Sequence, residues 1–263
     1  MTVSRSFPAG DFDALAAYRR MFATATDGVA AWWYFGTAFA EIPGYLSLPV
    51  IQAETLMIYK TTTLSADAFR MDWWEIGYMR DLATGEIARA WTNPLTGATV
   101  AAPQKFEEGP AHFLIARDGA GLKLELTQAH ARIERVDVVF SEADGRVLLE
   151  QTERKVRGFP LPDGSMPSLD SADVSAARTT LSIQAARADL VNPSAPCSGA
   201  YDFELRKPPG WMGFGDRPGT AMTRGAMVKA GLNEQINPIA WRRLQQLFPD
   251  CFDGDEVRPR WPA

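Results

Sequence analysis

The stretch FRMDWWEIGYMRD, residues 69–81, sets carboxylic acids, a phenol and guanidinium groups within a few residues of one another. If it is extended, its side chains alternate between two faces. Phe69, Met71, Trp73, Glu75, Gly77 and Met79 share one face; Arg70, Asp72, Trp74, Ile76, Tyr78 and Arg80 share the other. Neither face is cleanly apolar or cleanly polar. A cavity wall has this mixture, because it needs apolar area and a few placed polar groups. Asp72, Tyr78 and Arg80 would supply an acid, a proton-transfer phenol and an anion binder. Glu75 beside Trp73 would place a carboxylate against an apolar wall, which raises its pKa. Period two forbids both sets from facing one cavity, unless Gly77 marks a bulge. The plainer alternative is cross-strand salt pairing on an outer surface.

A second source of acid–base chemistry is His112, at the start of AHFLIAR, two residues after Gly109-Pro110. Its alternation partners are Leu114 and Ala116. Facing an apolar interior, an imidazole would titrate near neutrality and serve as acid or base. The alternative is a hydrogen-bonded structural histidine. His130, after LTQA, borders a turn and is expected to be exposed. The candidate catalytic set is therefore Tyr78, His112, Arg80, Glu75 and Asp72.

Aromatic side chains would give such a set its pocket. Trp32, Trp33, Tyr34, Phe35, Tyr59, Trp73, Trp74 and Trp91 all fall in the first half of the chain. Core packing explains any one of them. The adjacent pairs Trp32-Trp33 and Trp73-Trp74 cannot both point inward in regular strands. One member of each must cover a helix, a loop or a partner subunit. Trp33, Tyr59, Trp73 and Trp91 are the candidate contacts for a flat, apolar or aromatic ligand. The glycine-rich loop GWMGFGDRPG adds Arg217, placed to bind a carboxylate or phenolate at a barrel mouth. An Asp216–Arg217 pair pinning that loop is the structural alternative. Arg224, in AMTRGAM, is a further anion-binding candidate.

The elements that must position these residues are mostly strands. Residues 29 to about 155 alternate repeatedly between apolar and polar. Asp118-Gly119 and Asp144-Gly145 sit between alternating runs, the strongest short hairpin signal. In LKLELT, Leu122, Leu124 and Leu126 point one way and Lys123, Glu125 and Thr127 the other. In the hairpin DLATGEIARAWTNPLTGATV, Pro94 presets a turn, Gly97 accepts a positive φ and Asn93 bonds the turn backbone. Two helices are expected. One covers 11–25, capped by Asp11 and ended by Asp27-Gly28. The other covers 237–249, capped by Asn237 with Pro238 in its first turn. A long loop spans 157–175, and strands resume at AARTTLSIQ. The expected fold is mainly β: one antiparallel domain over 1–263, closed as a lipocalin-like barrel with an N-terminal and a C-terminal helix. Closure removes free edges and leaves an interior for a ligand.

The composition narrows the function. The 263 residues are 46% hydrophobic and 22% charged, with a net charge of −5. That is an ordinary folded profile, with no basic stripe for nucleic acid. No apolar run reaches membrane-spanning length, and the N-terminus lacks a secretory pattern. Cys197 and Cys251 lie far apart and are expected to be free thiols in the cytoplasm of a bacterium-like cell. There is no GxGxxG after a strand, no GxxxxGK[ST] and no GxSxG. No cofactor and no metal are expected.

WWYFGT, EIGYMRDLATGEIARAWTNPLTGATV, FEEGP and GWMGFGDRPG together resemble a bacterial family, the one catalogued as domain of unknown function 1838. The central residues are Gly77, Asp81, Thr84-Gly85-Glu86, Trp91, Asn93-Pro94 and Thr96-Gly97, and the resemblance covers most of residues 27–250. It implies a β-rich, lipocalin-like fold and no settled activity. It also implies a histidine after DRPG. This chain has TAMTRGAMVKAG there, with Arg224 as the residue to stand in its place.

Three readings follow. The first is a cofactor-independent lyase- or isomerase-type enzyme, transferring protons on a small apolar or aromatic molecule. The second is a non-catalytic barrel that binds a hydrophobic ligand. The third is a structural module whose aromatic pairs build a homodimer interface. An enzyme's cavity should hold two or more convergent titratable side chains. If His112, Tyr78 and Arg80 share no cavity, that set loses its support.

Overall fold

A computed structural model describes residues 12–119, 121–128, 131–158, 174–192, 195–232 and 237–261. Ten antiparallel strands close into one barrel: β1 (Gly28–Glu41), β2 (Leu48–Ser65), β3 (Ala68–Arg80), β6 (Lys105–Asp118), β7 (Gly121–Gln128), β8 (Ala131–Ala143), β9 (Arg146–Gly158), β10 (Val174–Ala186), β11 (Ser198–Leu205) and β12 (Thr220–Ala230). Each strand pairs with the next in this series, and β12 returns to β1, with Trp33 opposite Val228. The barrel expected from the sequence is the one observed, and its up-and-down order fits a lipocalin-like fold. A small hairpin, β4 (Ala90–Thr92) and β5 (Thr99–Ala101), stands outside it between β3 and β6. A second, β13 (Phe252–Asp253) with β14 (Glu256–Val257), lies near the C-terminus.

Sequence chemistry accounts for the turns. Asp144 and Gly145 both take positive φ, 52° and 70°, the backbone that a two-residue hairpin requires. Gly119, at φ 56°, serves the other Asp-Gly turn. In β7, Leu122 and Leu124 are buried and Leu126 half-buried, while Lys123 and Glu125 are exposed, as the alternation predicts.

One end of the barrel is plugged by helix α1 (Ala14–Phe22). Its cap is Asp13, whose Oδ1 accepts from Leu15 N at 3.0 Å and Ala16 N at 3.1 Å. The helix is shorter than expected and stops before Asp27. That carboxylate instead accepts from Thr63 N at 2.7 Å and Arg19 Nη2 at 2.9 Å, fastening the helix exit to β2. Tyr18, Met21 and Phe22 enter a core with Trp32, Phe69, Ile115, Leu124, Phe140 and Ile183. Trp32 Nε1 donates to Phe22 O at 2.7 Å. Lys229 donates to the Arg20 carbonyl near the helix end, and burial lowers its pKa to about 8.

Helix α2 (Pro238–Leu247) lies on the outside. Asn237 caps it as expected, accepting from Ile239 N and Ala240 N, both at 3.1 Å. Trp241, Leu244 and Phe248 pack on Trp33, Leu56, Ile58, Trp74, Ile76 and Tyr78. This packing resolves the adjacent tryptophans. Trp32 and Trp73 face inward, whereas Trp33 and Trp74 face outward beneath α2 and the strands around it. Those pairs therefore no longer argue for a partner subunit. The strands flanking the expected long loop run further than predicted, to Gly158 and from Val174; the rest of that loop, and His130, lie outside the described residues. Among the described residues, no helix is long and apolar enough to cross a membrane.

Candidate functional site

Alternation in β3 divides the predicted catalytic set between two sides of the sheet. Glu75 and Trp73 face the interior, as does Tyr59 across from Trp73 on β2. Tyr78, Arg80 and Asp72 face outward. Tyr78 is buried beneath α2, its hydroxyl bonded to Glu54, and its pKa is raised by burial and then by that carboxylate. Arg80 pairs with the same Glu54 and donates through Nε to Gly85 O at 2.9 Å. Asp72 lies between two outward partners, His112 Nδ1 at 2.7 Å and Arg70 Nε at 3.1 Å. His112, Tyr78 and Arg80 thus share no cavity, and as a catalytic group they are set aside. The reason is physical: the parity that brings Glu75 inward sends Asp72, Tyr78 and Arg80 outward, and His112 pairs with Asp72 on the same side.

Four predicted ligand contacts are also placed elsewhere. Trp33 is outside, against Phe35 at 6.2 Å and Trp241 at 6.1 Å between ring centres. Arg224 is exposed on β12 and pairs with Asp202 at 3.1 Å. Arg217 is exposed in the β11–β12 loop. Trp91 packs on Phe214, 5.7 Å between ring centres. Asn93 ties the two mouth segments together: its Oδ1 accepts from Leu95 N and Thr96 N, and its Nδ2 donates to Met212 O at 3.0 Å. Thr96 Oγ1 adds a bond to Gly213 O at 3.2 Å. The hairpin and the glycine-rich loop thus form one cap over the barrel end opposite α1, packing with Ala38, Ile51, Leu205 and Ala221.

Between plug and cap the interior is polar, and most of it was missed from sequence. The inward face of β9 reads Val147, Leu149, Gln151, Glu153, Lys155, Arg157, apolar toward α1 and charged toward the cap. Tyr18 Oη donates to Gln151 Oε1 at 2.7 Å, and Gln151 Nε2 donates to Glu153 Oε1 at 2.8 Å. Lys155 Nζ lies 3.3 Å from Glu153 Oε2, both side chains almost fully buried. Arg157 pairs with Glu108. Phe203 stands beside both cations, 5.8 Å from Lys155 Nζ and 5.7 Å from the Arg157 guanidinium. The signal available in the sequence was RVLLEQTERKV itself, a strand with polar residues on both faces.

Glu108 reaches the interior through a bulge. Trp73 pairs with Ala111, but Glu75 pairs with Glu108, so Gly109 and Pro110 together oppose the single residue Trp74. The extra residue reverses parity beyond it. Gly109 has φ 100°, and a Cβ there would lie 2.8 Å from Trp73 O. Gly77, the residue suspected of bulging, pairs regularly with Thr55 and Phe106. It is glycine because the Phe106 ring covers it, 2.3 Å from where a Cβ would stand.

Glu75 therefore faces Glu108 across neighbouring strands. Among the described residues it has no hydrogen-bond or ion-pair partner. Burial pushes its pKa well up, Glu108 adds to the rise, and Arg157 and Lys155 oppose it. Burial and nearby carboxylates likewise raise Tyr59 and Tyr201 far above the ordinary phenol value. Tyr34 is raised by burial and then by Asp202 and Glu75; its ring meets Tyr201 edge-on at 5.2 Å. Trp73, Glu75, Met79, Tyr201 and Phe203 are only half-buried although they sit on inward positions, so solvent reaches this part of the interior. Two clefts on the outside are smaller than ordinary ligand pockets. The larger, about 240 Å³, lies between α2 and β6 beside Lys105 and Arg260. Among the described residues, no group of three or more His, Cys, Asp or Glu side chains is arranged to hold a metal ion.

No family model matches the chain, and no curated protein matches it.

Proposed function

We propose that the protein is a cofactor-independent acid–base catalyst, of lyase or isomerase type, acting on a small and largely apolar or aromatic molecule inside the barrel. The observation that carries this reading is the Glu75–Glu108 pair. Two carboxyls face each other across β3 and β6; one pairs with Arg157, and the other has no hydrogen-bond or ion-pair partner among the described residues and is pushed toward its neutral form. Environments that separate two carboxyls in this way divide acid from base. Glu75 would donate its proton to a substrate carbonyl oxygen while Glu108 takes one from the α-carbon, the C–H electron pair forming the C=C bond of an enol that returns by the reverse transfers. Arg157 would steady the charge that Glu108 loses and regains. The resemblance to the family of domain of unknown function 1838 and a cytoplasmic setting belong to the same reading.

The test is deuterium uptake from heavy water into a panel of aromatic carbon acids, followed by proton NMR. The expected result is uptake in the wild type and a fall of about 10²–10⁴-fold in Glu75→Gln, the usual worth of one acid–base group. Uptake equal in wild type and variant, or absent across the panel, refutes the reading.

A second reading has its own support. Lys155 and Arg157, the cations beside this site among the described residues, are each matched by a carboxylate, an arrangement suited to a carrier. A carrier would bind the same molecules and exchange nothing.

A further inference from the structure

We infer that the interior site takes an uncharged, flat molecule whose anchoring group is an oxygen acceptor of the carbonyl type. The inference rests on the interior site proposed above, but not on its catalysis.

Charge comes first. Around Glu75 the fixed charges among the described residues cancel in pairs, Arg157 with Glu108 and Lys155 with Glu153. An anionic ligand would have to take a cation from a buried carboxylate, and a cationic ligand would have to take a carboxylate from its cation. Breaking one partner out of a buried pair is expensive. Glu75, held toward its neutral form, offers no net charge to either.

Unmet hydrogen bonds come second. Tyr34 Oη, Trp73 Nε1 and Thr179 Oγ1 are buried on inward positions without a partner among the described residues. Buried polar atoms are normally bonded, so each of these is a candidate ligand contact. The indole of Trp73 can only donate. A neutral Glu75 carboxyl and the Tyr34 and Thr179 hydroxyls can donate too. A set this rich in uncharged donors matches an acceptor oxygen.

Shape comes third. The rings of Tyr34, Tyr201, Trp73 and Phe203 are on the inward faces, and aromatic faces favour flat partners.

The experiment compares three similar ligands by titration calorimetry at pH 7: 2-acetylnaphthalene, 2-naphthoate and 2-naphthylmethylammonium. The ketone should bind saturably and about ten-fold or more tighter than either ion, since each 1.4 kcal/mol is a factor of ten. Trp73→Phe and Tyr34→Phe should each weaken the ketone by about 2–10-fold, the usual worth of one neutral hydrogen bond. Binding of the naphthoate or the amine as tight as that of the ketone, or no saturable binding of the ketone, overturns the inference. The acetyl methyl also reports exchange in heavy water. A ketone that binds without exchanging refutes the catalytic reading and supports this one.

Discussion

Lys155→Met tests whether the interior charges form closed pairs. Lys155 and Glu153 are exposed by only 7% and 5% of their side-chain surface, at 3.3 Å. Glu153 also accepts from Gln151, itself bonded to Tyr18 of the plug. Methionine keeps most of the lysine stem and removes the charge, so the change acts mainly through the carboxylate it strands. Stranding one member of a buried pair costs about 3–5 kcal/mol. The double variant Glu153→Gln/Lys155→Met leaves no stranded charge. Its amide oxygen can still accept from Gln151, so only an unmet amide remains, at about 1–3 kcal/mol. The second substitution should therefore restore about 2 kcal/mol that the first removed. Urea unfolding measures this directly. With a slope of about 2 kcal/mol per molar, the single variant's midpoint falls by about 2 M and the double variant's by about 1 M. A single variant that loses less than about 1 kcal/mol, or a double variant less stable than the single, refutes the claim that these charges are buried and mutually compensating.

Glu75→Gln should change the pH dependence of stability. Because the folded carboxyl is raised above its ordinary 4.5, ionisation opposes folding. The wild type loses stability as pH rises from about 4.5 toward the folded value. The variant should show no such loss, so its advantage in Tm should grow between pH 5 and pH 8; a constant difference refutes the assignment. Asn93→Ala should cost about 1–3 kcal/mol, because the buried Met212 carbonyl and two turn amides lose their partner; hydrogen exchange should quicken at residues 93–97 and 210–214 together. Trp241→Ala should cost about 3–5 kcal/mol through the outer core, and calorimetry should show ketone binding inside the barrel unchanged.

Part of this architecture was legible in the sequence because it is local. The Asp-Gly turns, the alternation of β7, the Asn237-Pro238 cap and the division of β3 into two mixed faces all follow from neighbouring residues. That Glu75 and Trp73 share one face follows in the same way, but which face turns inward does not. The neighbours of Glu75 were not legible, because Glu108 and Arg157 come near it only after closure of the barrel and a parity change in β6. His112 and Asp72 do meet, but on the outer side. Tyr78 and Arg80 looked like chemistry because a helix some 160 residues later was needed to explain them. The tryptophan pairs correctly demanded two different neighbours and did not say which.

The bulge at Gly109-Pro110 makes position along the chain matter more than chemistry at one point. Glu107 and Glu108 are the same amino acid. Glu107 points outward and takes part in bonds with Trp74 Nε1 and Arg260, while Glu108 points inward and pairs with Arg157. What separates the outward carboxylate from the inward one is one extra unit of backbone. Were the strand to run regularly through the same residues, Gly109 would face Glu75 and the two glutamates would exchange sides. For this strand the path of the backbone is as informative as the letters.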